Sequence, residues 1–139
     1  MKSLLNKALK FARVKHKGQY RDDGVTPYVV HPMQVAQILT LLFKDENLIC
    51  AALLHDVIED TDTTYEDLKK EFNMDIADLV MEVTKKEGIL GRAATFPNLK
   101  TQRGIMLKFA DRLSNISDMK SWSEKKKEWY LKSSKFWKS

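Results

Sequence analysis

Residues 51–62 read AALLHDVIEDTD, an apolar run that within a few positions gives way to His55, Asp56, Glu59 and Asp60. Its body, Leu48 to Leu54, is apolar on every side at helical spacing, the pattern of a helix buried all round. Continued to Ile58, such a helix carries carboxylates to the edge of the core. Burying an unpaired carboxylate costs several kcal/mol unless a cation or partner compensates. The charged end of a core helix therefore asks for something positive, and His31 and Asp111 are matching ligands elsewhere in the chain.

Outward from this stretch the apolar period is helical almost throughout. Leu4, Leu5, Ala8, Phe11 and Ala12 form one face of a first helix that stops near Gly18. Residues 19–30, QYRDDGVTPYVV, contain Gly24 and Pro27 and read as a loop or a short hairpin-like excursion. His31 precedes Pro32, which suits the first turn of a helix running on through Val35, Ala36, Ile38, Leu39 and Leu42. Lys44 to Asn47 read as a connector, and Leu48 to Ile58 as one buried helix. Thr63 or Thr64 can cap the next helix, with an acid three residues on in either case. Further helices are predicted around Ile76–Val83, Ile105–Ile116 and residues 124–137, with a second loop over 88–98. The chain is predicted to be an all-α helical bundle forming a single domain over 1–139.

Composition agrees with a globular chain: 139 residues, 43% hydrophobic and 31% charged, which argues against disorder. No stretch approaches the roughly 18 apolar residues of a membrane span. The lysines at 2, 7 and 10 break the N-terminal apolar positions into an amphipathic helix rather than a signal peptide. One cysteine, Cys50, excludes an intrachain disulfide, and a cytoplasmic location is the expectation. The net charge of +5 is uneven: residues 1–99 hold 13 Lys/Arg against 15 Asp/Glu, and residues 100–139 hold 11 against 4. A basic C-terminal third attracts anions, although for KKK at 125–127 a solvated lysine face is the better reading.

His31, His55, Asp56 and Asp111 stand on three separate elements. Two imidazoles and two carboxylates suit a borderline or hard divalent ion such as Mn²⁺, and the lack of thiolate is a poor match to structural zinc. Neighbours on a helix point about 100° apart, so His55 and Asp56 converge on one ion only with ligands from outside their helix. Singly, each residue has an ordinary structural explanation as a cap, a packing group or a surface pair. Jointly they are much harder to obtain by chance.

The segments HKGQYRDDGVTPYVVHPMQVAQIL, AALLHDVIEDTDTTYEDLKKEFNMDIADLVMEVTK and LKFADRLSNI together resemble the hydrolase domain of RelA/SpoT homologues, an HD-superfamily domain that degrades the alarmones ppGpp and pppGpp. The resemblance covers about residues 8–120, and with no synthetase domain following, it is to a stand-alone small hydrolase. It implies that His31, His55, Asp56 and Asp111 hold Mn²⁺ or another divalent ion, and that Glu59 and Asp60 position or activate the attacking water. The implied reaction removes the 3′-diphosphate of the guanosine nucleotide and releases pyrophosphate. By the same resemblance Arg21 packs on the purine base and Asn115 contacts the nucleotide near its sugar. Arg92, Lys100 and Arg103 are candidate phosphate contacts on residue type alone.

The chain departs from the family pattern at two places. Ser114 stands where ADRL is usually followed by His, and Asp22 and Asp23 follow Arg21 where a Lys and a small residue are common. These departures keep open a related hydrolase acting on another phosphorylated nucleotide such as NADPH. A third reading is a nucleic-acid or protein binding module built on the basic, Trp-bearing C-terminal third. The intact set of six site carboxylates and imidazoles argues against it. Trp122, Trp129, Tyr130, Phe136 and Trp137 fall on one helical stripe, which reads as core or dimer packing and leaves a homo-oligomer open.

Overall fold

The computed structural model describes residues 3–84 and 99–117. The predicted loop over 88–98 with Arg92, and the predicted helix over 124–137 with its aromatic stripe, lie outside the described residues. Within them the chain forms α1 (Ser3–Lys15), α2 (Val30–Leu42), α3 (Glu46–Leu54), α4 (Val57–Asp60), α5 (Tyr65–Glu71), α6 (Met74–Val83) and α7 (Gln102–Ser117). Among the described residues there is no strand, and the architecture is all-α as expected. None of the described helices is long and apolar enough to cross a membrane.

Helix α3 is the centre of the molecule. All seven residues from Leu48 to Leu54 are buried, as the absence of a polar face requires. It packs against α1, α2 and α6, while α2 also packs along α7. Leu39, Leu48, Leu54, Leu68, Ile76 and Leu107, from five different helices, are among the largest side chains fully removed from water. Each contributes roughly 1.5–3 kcal/mol relative to exposure. Phe11 and Phe72 meet edge to face at 5.6 Å and tie α1 to the end of α5.

Helix starts follow local chemistry. Asp45 caps α3 by accepting from the Leu48 amide, and Asn73 caps α6 through the Ile76 amide. Thr64, rather than Thr63, caps α5 and forms a reciprocal capping box with Asp67. Helix α1 ends into a turn at Gly18, whose φ of 84° favours glycine. The excursion after it is hairpin-like: Arg21 N–H donates to Thr26 O, Tyr28 N–H donates to Gln19 O, and Tyr20 pairs with Pro27.

One predicted element is corrected. The helix expected from Leu48 to Ile58 is broken at His55–Asp56, where α3 ends and the single turn α4 begins. The His55 ring donates from Nδ1 to the Ala52 carbonyl at 2.7 Å, the acceptor that the Asp56 amide would use in an unbroken helix. Side-chain competition of this kind releases the backbone from the helical ladder. Asp56 takes φ −103° and ψ −1°, in the sparsely populated bridge region.

Candidate metal centre

The break at His55–Asp56 removes the geometric obstacle posed by adjacent helical residues. The two side chains now face the same point, with His55 Nε2 3.2 Å from Asp56 Oδ2. His31, in the first turn of α2, brings its Nε2 to 2.7 Å from Asp111 Oδ1 and 3.6 Å from Asp56 Oδ2. Asp111, in the middle of α7, has the same Oδ1 3.2 Å from His55 Nε2. Thus all four residues singled out on three elements converge. His31, His55 and Asp111 each offer a ligand atom within 4.8 Å of the others, and so do Asp56, Glu59 and Asp60.

The donor set fits a divalent cation. His55 Nδ1 is committed to the Ala52 carbonyl, so Nε2 is the atom turned to the cluster and the one that must give up its proton to ligate an ion. Burial opposes charge on His55, but the carboxylates of Asp56 and Asp111 outweigh it and hold its pKa well above 6.5. Burial also acts against ionised Asp56, and His55 with His31 overcomes it and keeps that carboxyl well below the usual range. At Asp111 burial is overcome by Lys108, His31 and His55, in the same direction. The cluster favours positive charge at its centre, and a metal ion supplies more of it than a proton on His55.

Glu59 and Asp60 stand on α4, exposed to solvent beside Asp56. Partial desolvation, with the negative charges of Asp56 and Glu59, pushes the Asp60 carboxyl up to about 6. A carboxylate with that proton affinity can take a proton near neutral pH.

Arg21 and Asn115 are brought together: Arg21 Nη2 donates to Asn115 Oδ1 at 2.9 Å, linking the excursion to α7. The guanidinium also lies over the Tyr28 ring, 5.5 Å from its centroid. Asp23 is turned inward to its own loop, accepting from the Val25 and Thr26 amides and the Thr26 hydroxyl. Those hydrogen bonds from Thr26 and Val25 hold its carboxyl down to about 2. Asp23 is therefore a turn residue. Arg103 is not poised for phosphate: it bridges Asp45 and Asp75 at the other end of α3, at 2.9 Å from each.

Three contributors carry no clear mark in the sequence. Tyr28 donates its hydroxyl to Asp56 Oδ2 at 2.7 Å, and burial with the nearby Asp56 and Asp60 charges keeps its phenol protonated. Lys108 neutralises the second oxygen of Asp111 at 3.0 Å. Its signal is the i,i+3 spacing on an otherwise apolar helix face. Gln19 donates to the Asp60 carbonyl at 2.9 Å and faces buried His16, whose ring lies 5.0 Å from that of Tyr28.

Comparison with known proteins shows the family to which the chain belongs. The HD domain family model matches residues 8–138. The guanosine-3′,5′-bis(diphosphate) 3′-pyrophosphohydrolase of Aquifex aeolicus is 39% identical over 89% of this chain, which spans only 19% of that relative's length. The guanosine-3′,5′-bis(diphosphate) 3′-pyrophosphohydrolase MESH1 of Xenopus tropicalis is 35% identical over 93% of this chain and 79% of its own. A solved structure of a metazoan SpoT orthologue, described as hydrolysing ppGpp and acting in starvation responses, superposes with a TM-score of 0.80. It is 31% identical, with 96% of this chain and 82% of the other covered. The chain belongs to the HD domain family and shares the helical fold of the MESH1 and SpoT-type members.

Proposed function

We propose that this chain is a metal-dependent 3′-pyrophosphohydrolase of guanosine 3′,5′-bis(diphosphate) nucleotides, acting as one HD-type domain. The observation that carries this reading is the convergence of His31, His55, Asp56 and Asp111 at the end of a buried helix. The relatives named for that activity and matched over most of their length support the choice of substrate.

His31, His55, Asp56 and Asp111 hold the ion, and Mn²⁺ suits their mixed imidazole and carboxylate character. When bound, such an ion polarises a phosphoryl oxygen and lowers the pKa of a water. The chain does the rest. As the water oxygen bonds to phosphorus the ribose O3′–P bond breaks: Asp60, with Glu59 beside it, receives the proton that the water loses, and the departing 3′-oxygen takes one from solvent to become a hydroxyl as pyrophosphate is released. Tyr28 holds Asp56 in place through its hydroxyl. Arg21, fixed by Asn115 and Tyr28, presents a planar cation to the purine, and Asn115 lies next to it for the sugar.

The test is to incubate the protein with ppGpp and Mn²⁺ and follow pyrophosphate. A panel that includes NADPH, compared by kcat/KM, ranks the alternatives. Release of pyrophosphate with ppGpp as the preferred substrate is expected. No turnover from folded, metal-loaded protein would refute the proposal.

A further inference from the structure

His31 enters the cluster through Nε2, so in the ligating state its hydrogen belongs on Nδ1. The acceptor at Nδ1 is Ser114 Oγ, at 3.0 Å, across the interface between α2 and α7. Having accepted that hydrogen bond, the hydroxyl directs its own proton to Gln34 Oε1, at 2.8 Å. The spacing is symmetrical. Gln34 lies three residues after His31 on α2, and Ser114 three residues after Asp111 on α7, so the two ligands and the two supporting groups form parallel pairs one turn apart. Ser114 is buried, whereas Gln34 is exposed and anchors the outer end of the relay. His55 has no such helper: its Nδ1 is fixed by a backbone carbonyl.

We propose that Ser114, held by Gln34, is a positioning residue that selects the His31 tautomer able to bind the metal. The two imidazoles of the site are thereby fixed by different means, one by the backbone of its own helix and one by a side-chain relay between helices. Position 114 is one of the places where the chain departs from the sequence pattern it otherwise follows. Serine there is matched by the glutamine facing it.

This inference rests on the metal reading of His31, and its test separates the two. Affinity for Zn²⁺, a diamagnetic stand-in, is measured by chelator competition for the full chain and its variants. The His31 tautomer is read from long-range ¹H–¹⁵N spectra of the Zn²⁺-loaded protein. Ser114→Ala is expected to lose about 10–100-fold in affinity, with the His31 Nδ1–H signal weakened by exchange. Ser114→Thr is expected to restore most of the affinity, and Gln34→Met to lose less than Ser114→Ala. Unchanged affinity and an unchanged His31 signal in Ser114→Ala overturn the relay. Should that variant fail to fold, Gln34→Met at its exposed position carries the test, with the same two readouts. Failure of the unaltered chain to bind the ion at His31 overturns the metal reading itself, and the relay with it.

Discussion

The two ends of α3 carry polar clusters that settle their electrostatics in opposite ways. At the N-terminal end, Arg103 of α7 bridges Asp45 and Asp75, with all three side chains between 35% and 44% exposed. The protein supplies its own cation there, and water shares the work. At the C-terminal end, His31, His55 and Asp111 are 2%, 3% and 8% exposed, and the carboxylate oxygens at the centre face imidazoles in place of a guanidinium. About 14 Å of apolar helix separates the two. The first cluster joins helices. The second also joins helices, but there Lys108 pairs with Oδ2 of Asp111, while Oδ1 of Asp111 and Oδ2 of Asp56 face the two imidazoles.

Substitutions that empty the buried cluster should have the largest effect. His55→Ala and Asp111→Ala are each expected to abolish metal binding and lower turnover at least about a hundredfold, beyond the range for residues behind the ligands. Calorimetric metal titration beside a pyrophosphate assay checks this. Retained activity in either variant would contradict the assignment of the ligands.

Next in size are Glu59→Gln and Asp60→Asn, which should keep the ion and lose about 10²–10⁴-fold in kcat if proton transfer is their task. A second readout is the pH profile. Asp60 must be ionised to accept a proton, so the acid limb of kcat/KM should lie at or below about 6 and be absent from Asp60→Asn. A bound cation nearby favours the carboxylate, which moves the limb down rather than up. Loss of metal in these variants would instead make them ligands.

The same cluster predicts opposite pH trends for stability and metal affinity. In the metal-free chain the His55 pKa is raised, so its contribution to stability is complete below 6.5 and is lost as pH rises through the folded value. Metal binding displaces that proton, so affinity should climb with pH over the same interval, by up to about tenfold per unit for each proton released. Thermal melts with and without the ion across pH 5.5–9 check both signs. Parallel trends would show that His55 is not the group exchanging a proton for the ion.

At the exposed end of α3 the effect should be smallest. Arg103→Met is expected to cost about 1 kcal/mol, since the partners it leaves remain hydrated. That corresponds to a few degrees in Tm, with kcat unaltered. A large loss of activity in this variant would show that the two ends of α3 are coupled.

Most helices of the described residues, and the residue types that meet at the end of α3, were legible in the sequence because their signals are local. A seven-residue run without a polar face marks an element buried all round, which among helical neighbours reads as a central helix, and Gly18 marks a chain reversal. His31, His55, Asp56 and Asp111 stood out by residue type at the ends and faces of apolar helices. The break between α3 and α4 was not legible. It depends on the His55 ring taking the Ala52 carbonyl, and the same letters at the same spacing fit an unbroken helix.

What the sequence determined by itself is an all-α chain with charge placed at the end of a core helix, because hydrophobic period and residue type are properties of neighbouring positions. Only the tertiary structure decided which groups share that charge. Tyr28 reaches Asp56, Arg21 reaches Asn115 rather than open solvent, Arg103 is committed to Asp45 and Asp75, and Ser114 stands behind His31. These partners are 28 to 94 positions apart. Helix packing brings them within hydrogen-bonding distance, and no local pattern encodes that.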